Sequence, residues 1–158
     1  MSNTVSIGNF KTLVKRVTPV CDTSAYTAGD VLFPTTAITI ASGVQAARGT
    51  IRFAGVLDKD DQTAQAISLW FMRSNVALGT ANSAPNISDT NAEEIIGKVT
   101  VTTSDDLGGC KLGQADGLSL PFELSSGTLY VAATTAGTPT QTASGIVLRI
   151  GLEIETPI

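Results

Sequence analysis

Histidine is absent from the sequence, and its absence removes several classes of chemistry. Without an imidazole the chain cannot assemble a Ser-His-Asp or Cys-His nucleophilic site, nor a zinc or iron site with histidine ligands. Charged residues are also sparse, at 15% of the chain, and the formal net charge is −4. Because proteins that bind nucleic acids usually carry a basic surplus, we expect no direct contact with nucleic acid.

Cysteine and long apolar runs are scarce as well. The spacing of the two cysteines, Cys21 and Cys110, fits no metal or redox motif. A disulfide between them stays open, but two buried thiols are the expectation. No apolar run approaches the ~18 residues of a membrane-spanning helix, and the N-terminus lacks the basic and apolar regions of a secretion signal. We therefore expect a protein that is made in the cytoplasm and does not enter a membrane.

Threonine, alanine, serine, valine and glycine dominate the sequence, which has 158 residues and is 42% hydrophobic. This length suits one domain, and the composition favours strands over helices. Apolar residues alternate most clearly in residues 146–155, as in a strand with one face on a core. About eight such strands and one short helix, at residues 88–97, predict an all-β domain, either an antiparallel β-sandwich or a compact β-barrel.

Four local patterns predict details of this domain. Ile51, Phe53 and Leu57 are expected on one face of a strand, and Pro34 ends a strand or places it at a sheet edge. Residues 66–72 are apolar on both faces, so this strand is expected to be buried on both, within the domain or against another protein. Residues 125–127 are expected to close a hairpin.

The first ten residues differ from the rest because they are polar and almost uncharged. The pattern predicts an N-terminal arm at residues 1–10 and a single β-rich domain at residues 11–158, with the first strand at residues 12–20. The arm is either a disordered tail or a segment that orders against a neighbouring subunit. Val5, Ile7 and Phe10 are its apolar anchors and the candidate partner-binding residues.

Two groups of acidic residues are candidate sites. Asp58, Asp60 and Asp61 lack the glycine and distal glutamate of a calcium loop, so a solvated turn is expected and no metal. Glu93 and Glu94 are adjacent on the predicted helix and do not face each other, so helix-dipole stabilisation explains them without catalysis. We expect no catalytic residue and no cofactor.

The aromatic residues and one long loop offer further candidates. Trp70, Tyr26 and Tyr130 are potential members of a carbohydrate platform, although core packing is the expectation for Trp70. Residues 134–145 form a polar loop that is long for a compact domain, and such loops are often functional or mobile.

Three stretches together resemble a known family. They are residues 26–33 (YTAGDVLF), residues 55–62 (GVLDKDDQ) running on to Phe71, and residues 129–133 (LYVAA) continuing through 137–140 (GTPT) to 148–151 (LRIG). In order and spacing they are similar to small structural proteins of tailed bacteriophages that are encoded near the major capsid protein, several of which resemble head decoration, or cement, proteins. The resemblance covers about residues 11 to 153.

This resemblance implies a non-enzymatic protein of the virion that binds the outside of the head shell. The implied partner is the major capsid protein, and the implied location is the capsid surface after synthesis in the host cytoplasm. Because a shell has threefold and twofold positions, a closed homo-oligomer would match its site by symmetry, with a trimer favoured and a dimer possible. Two alternatives stay open: another virion component of the neck, tail or fibre, and a carbohydrate-binding β-sandwich module.

Overall fold

A computed structural model of the chain describes residues 9–40 and 47–156. Over these residues the backbone forms ten strands and one short helix, which confirms the predicted all-β class. The strands are, in chain order, β1 (Asn9–Val17), β2 (Val31–Thr39), β3 (Ala47–Asp58), β4 (Ala66–Met72), β5 (Ile95–Thr102), β6 (Asp105–Asp106), β7 (Lys111–Ala115), β8 (Leu120–Leu124), β9 (Thr128–Thr135) and β10 (Ile146–Thr156). The helix α1 (Asp89–Ala92) lies between β4 and β5.

The strands form two antiparallel sheets. The first sheet has the order β1-β10-β3-β7-β6, with β8 also paired to β3, and the second has the order β2-β9-β4-β5. One core cluster contains buried residues from both sheets, so the sheets pack on each other as a β-sandwich. In the described part of the chain no strand pairs into both sheets, so the sandwich is found and the barrel is not.

The core between the sheets is built from the inward row of each strand. The long alternating strand predicted at the C-terminus is confirmed as β10, whose inward residues are all buried: Ile146, Leu148, Ile150, Leu152 and Ile154. Ile67, Leu69 and Phe71 of β4 face them from the second sheet and are fully buried. Burial of these side chains is the main source of stability, at roughly 1.5–3 kcal/mol for each large apolar side chain.

The side of the second sheet that points away from the core is partly covered by the segment after β4. Met72 is fully buried there and Trp70 is half-buried, in a cluster that includes Leu78 and Ile87 of the segment after β4. The prediction that β4 is buried on both faces is confirmed only at its C-terminal end, where residues 73–94 supply the cover, since Ala66, Ser68 and Trp70 are partly exposed.

A bulge in β3 changes the faces that were predicted for its apolar residues. The pairing of β3 with β10 shifts between Gly151, which is opposite Phe53, and Leu152, which is opposite Ile51. The extra residue in β3 reverses the alternation. Ile51 is in the core, whereas Phe53 is half-buried and outside it. The prediction that Ile51, Phe53 and Leu57 share a face was therefore wrong.

Residues 125–127 do not close a hairpin between neighbouring strands, as had been predicted. β8, which precedes them, pairs with β3 in the first sheet, whereas β9, which follows, pairs with β2 and β4 in the second. The turn therefore carries the chain from one sheet to the other.

The helix is shorter than predicted. It begins after Ser88, whose hydroxyl accepts a hydrogen bond from the Asn91 amide at 3.2 Å, as a capping residue does. Ile95 already belongs to β5, because the apolar residues that follow pair with β4. None of the described helical structure is long and apolar enough to cross a membrane.

Pro34 lies within β2, at the edge of the second sheet, as its lack of an N–H group predicts.

Candidate interaction surface

Of the three predicted partner-binding residues, only Phe10 is among the described residues. Val5 and Ile7 lie outside the described residues. Phe10 lies in β1, which begins at Asn9 and not at residue 12. Its side chain is 63% exposed, which is unusual for a residue of this size in a strand.

β1 has one apolar row on the core and another in solvent. Leu13 and Val17 pack against the core cluster. Phe10 and Val14, on the alternate row, are 63% and 60% exposed. Val14 was not singled out from the sequence, although the alternation of Phe10, Thr12 and Val14 places it on the same row as Phe10.

Phe53 extends this apolar row across the sheet. Val14 of β1 is opposite Gly151 of β10, which is opposite Phe53 of β3. A Cβ added at Gly151 would lie 2.9 Å from the Phe53 Cβ, and one added at Gly55 would lie 3.1 Å from its ring atom Cε1. The two glycines therefore let the Phe53 ring lie close to the sheet. A shallow groove results, lined by Val14, Phe53 and Gly151.

A second shallow groove continues from the first toward the start of β1. Phe10, Thr50 and Pro121 line it, together with the paired Arg48 and Glu123. The two grooves and the exposed side chains between them are here called the outer face, since they occupy the solvent side of β1, β10, β3 and β8.

Two ion pairs lie on this outer face. The Arg48 guanidinium is 3.3 Å from the Glu123 carboxylate, and the Arg52 guanidinium is 3.4 Å from the Glu153 carboxylate. Both pairs are largely exposed, so each contributes about 0–1 kcal/mol to stability. An apolar centre with polar residues around it is the usual composition of a protein-binding surface.

The aromatic residues weighed as a carbohydrate platform do not share an exposed face. Tyr26 is buried, and its hydroxyl accepts from the Asp22 amide and donates to the Leu32 carbonyl, both at 2.7 Å. Trp70 and Tyr130 lie on the covered face of the second sheet. The Trp70 indole N–H donates to the Thr134 hydroxyl at 3.1 Å.

The solvated turn expected at Asp58, Asp60 and Asp61 is found only in part, because Asp58 is the last residue of β3, whereas Asp60 is partly exposed and Asp61 is exposed. Asp58 is fully buried, and its carboxylate accepts hydrogen bonds from the Asp60 amide at 3.0 Å and the Gln141 side-chain amide at 3.4 Å. Burial raises the pKa of Asp58 above its usual range. The Asp61 carboxylate instead accepts a hydrogen bond from the Lys111 ammonium, at 2.7 Å. Over the described residues no group of three acidic or cysteine side chains could hold a metal ion.

These aspartates fasten the polar loop that follows β9. The Asp60 carboxylate accepts from the Thr142 amide at 2.7 Å, and the Gln62 side chain accepts from the Thr140 amide at 2.9 Å. Residues before β2 hold the same loop, because the Cys21 amide donates to the Ala143 carbonyl at 3.0 Å. The loop therefore has a structural explanation that its polar sequence did not reveal.

Glu93 and Glu94, predicted on the helix, lie just after the end of α1, and Glu94 has structural partners. Glu94 accepts from the Arg73 guanidinium at 2.9 and 3.1 Å and from the Ser74 hydroxyl at 2.6 Å. The hydrogen bond from Arg73 lowers the pKa of Glu94, so this carboxyl is held in its charged form and is not a proton donor at neutral pH.

The two cysteines should differ sharply in reactivity. Both are free, and Cys21 is buried while Cys110 is partly exposed. Burial, with the nearby carboxylates of Asp60 and Asp58, raises the pKa of Cys21 to about 12. Because the thiolate is the reactive form, iodoacetamide at pH 8 should modify Cys110 alone in the native protein and both thiols after denaturation. Mass spectrometry measures this directly. A Cys110→Ser variant should remain unmodified when native, and equal modification of both thiols in the native protein would contradict the expectation.

In comparisons with known proteins, the chain matches no protein-family model and no curated protein sequence.

Proposed function

We propose that the protein is a non-enzymatic structural component of a phage particle, which binds the outside of the head shell through its outer face and stabilises the shell. The observation that supports this most is the exposure of Phe10 and Val14 in one row of a regular strand. Large apolar side chains that are exposed on one surface mark binding sites more often than single scattered ones do. The resemblance of the sequence to head decoration proteins supplies the kind of partner, the major capsid protein.

The architecture suits a clamp on a preassembled shell. The outer face is carried by paired strands over a packed core, so it needs little ordering when it binds. A protein that binds the intact shell and not its separated subunits stabilises the shell by mass action, by about 2.7 kcal/mol per site when its concentration is a hundredfold above the Kd. A closed homo-oligomer, with a trimer favoured over a dimer, would add avidity because each copy contributes one linked contact.

The outer face can be tested by making it polar. We expect the Phe10→Ser/Val14→Ser variant to bind undecorated shells at least tenfold more weakly than the natural protein, because about 1.4 kcal/mol of apolar contact is enough for a factor of ten. Co-sedimentation measures the binding, and the temperature of shell rupture measures the stabilisation. The control is Val20→Ser/Leu107→Ser, which removes two other exposed apolar side chains, 67% and 60% exposed, outside this row.

Each result bears on a different part of the proposal. If the natural protein neither binds shells nor raises their rupture temperature, decoration is the wrong function, and imaging of particles that lack the protein would then locate a neck, tail or fibre role. If the Phe10→Ser/Val14→Ser variant binds as well as the control does, the outer face is the wrong surface. Deleting residues 2–8, which leaves β1 intact, tests the predicted arm with Val5 and Ile7 separately.

A further inference from the structure

β1 has one edge that pairs with no other strand of the described residues. It lies at the end of the first sheet, and β10 is its only partner there. The pairing runs from Asn9 opposite Thr156 to Val17 opposite Leu148 without a register shift, and the strand contains no proline. A long, regular edge strand presents a row of backbone N–H and C=O groups that another extended chain can pair with.

The charge of β1 is opposite to that of the whole protein. The strand carries Lys11, Lys15 and Arg16 and no acidic residue, whereas the formal net charge of the chain is −4. Arg149 of β10 lies opposite Arg16 and adds a further positive charge at that end. The acidic Glu153 of β10 is paired with Arg52 of β3, and Glu155, opposite Phe10, is an acidic residue at the other end of the strand, so the basic character is strongest from Lys11 to Arg16. The free edge is therefore a locally basic strip on an acidic protein.

We propose that the free edge of β1 binds an extended acidic segment of a partner protein, which adds to the first sheet as a further strand. Such strand addition takes its affinity from backbone hydrogen bonds and its specificity from alternate side chains. The inference rests on the proposed function for the identity of the partner, the shell protein, and it adds the conformation and charge of the segment that is bound.

The side chains of β1 define what the added strand should carry. Lys11 and Lys15 lie on the core side, and Phe10, Val14 and Arg16 lie on the outer face. Since neighbouring strands place paired side chains on the same face, acidic residues would face the two lysines and apolar residues would lie beside Phe10 and Val14. A second copy of β1 fits poorly, because it would bring the basic residues of both copies to one seam.

Two synthetic peptides test this inference on the full-length protein. One has nine residues of alternating glutamate and valine, and the other has nine of alternating lysine and valine. We expect fluorescence anisotropy to show at least tenfold tighter binding of the acidic peptide, with an affinity that falls as salt is added. We also expect Lys11→Glu/Lys15→Glu to lose this preference, and Lys59→Glu/Lys98→Glu, which changes the net charge equally at exposed positions elsewhere, to keep it.

Hydrogen exchange distinguishes strand addition from simple charge attraction. On an edge strand alternate amides point away from the sheet, so the acidic peptide should slow the exchange of alternate amides in β1. Binding without protection of β1 would overturn the inference. Failure of the acidic peptide to bind would also overturn it, and the basic residues would then only discourage pairing between copies.

Undecorated shells separate this inference from the proposed function. If shells bind the natural protein and Lys11→Glu/Lys15→Glu equally well, the strand inference is wrong while decoration holds. If the acidic peptide protects β1 but shells do not bind, the edge has the inferred specificity and the shell is the wrong partner.

Discussion

The Gly113→Ala variant is expected to lose about 3 kcal/mol of its free energy of unfolding, at the upper end of the usual cost of overpacking a core. Gly113 is buried in β7 opposite Val56 of β3, at the side of the sandwich where β5 of the second sheet passes close by. An added Cβ would collide with the carbonyl oxygen of Thr102 and lie 2.6 Å from its carbonyl carbon. Because the obstacle is backbone, the clash can be relieved only by separating the two strands.

Thermal unfolding followed by circular dichroism measures this loss. For a domain of this size ~3 kcal/mol corresponds to a fall in Tm of roughly 6–12 °C. Gly109→Ala is the matched control, since an added Cβ there meets no atom within 4 Å, and its Tm should stay within the range of an ordinary surface substitution. Equal Tm values for the two variants would show that β5 and β7 do not approach each other in this way.

The Asp58→Asn variant is expected to be more stable than the natural protein at pH 7 and to lose this advantage in acid. The natural carboxylate is fully buried, and burial raises its pKa. Its hydrogen bonds, from the Asp60 amide and the Gln141 side chain, do not offset that burial. A neutral amide of the same shape avoids the cost of burying the charge. The Gln141 side-chain oxygen has no hydrogen-bond partner among the described residues. If the Gln141 side-chain amide flips by about 180°, this oxygen can accept a hydrogen bond from the side-chain amide that Asp58→Asn introduces.

The sign of the pH dependence follows from linkage. Between the unfolded pKa of Asp58, about 3.9, and its higher folded pKa, the folded state holds a proton that the unfolded state has released. The Asp58 carboxyl therefore lowers the free energy of unfolding of the natural protein as the pH rises through that window. The Asp58→Asn variant has no carboxyl there, so its free energy of unfolding does not fall for this reason. The difference in Tm between the two proteins should reach about 2–4 °C at pH 7, the shift that ~1 kcal/mol produces, and shrink near pH 4.

The control for this prediction is Asp116→Asn, which changes an exposed carboxyl in the same way. Its Tm should follow that of the natural protein at both pH values. A lower Tm for Asp58→Asn at pH 7, or a difference that does not change with pH, would mean that the buried carboxylate stabilises the loop more than its burial costs.

The parts of the fold that could be predicted from the sequence are those set by local alternation. β10 was predicted because five apolar residues alternate without interruption, and the inward face of β4 was predicted for the same reason. The bulge that moves Phe53 out of the core could not be predicted, because it depends on the register against β10. The transfer between sheets at residues 125–127 was hidden for a similar reason, since a short polar turn does not reveal which sheet its strands join.

The candidate surface was predicted only in part. Phe10 was identified because it is a large apolar residue near a polar N-terminus, but Val14 and Phe53 were expected in ordinary strand positions. Val14 is exposed because it lies on the solvent side of the edge strand β1, and the bulge in β3 turns the half-buried Phe53 to that same side; both are properties of the assembled sheet. Lysines on the core-side row of β1 were the available signal, because inward-pointing charges are typical of edge strands.

The pairing of the first described strand with the last one governs the order in which this protein can fold. Among the described strands β1 pairs only with β10, which follows more than a hundred residues later. One edge of β3 also pairs with β10, so that edge stays unpaired until β10 is in place. During synthesis the N-terminal half of the first sheet therefore leaves the ribosome with its pairing edges open, and it closes only after β10 has emerged. Such non-local closure makes folding slow compared with that of helical domains of similar length. The interval before closure is also when the exposed strands are most vulnerable to aggregation, so aggregation should increase when the synthesis of β10 is delayed.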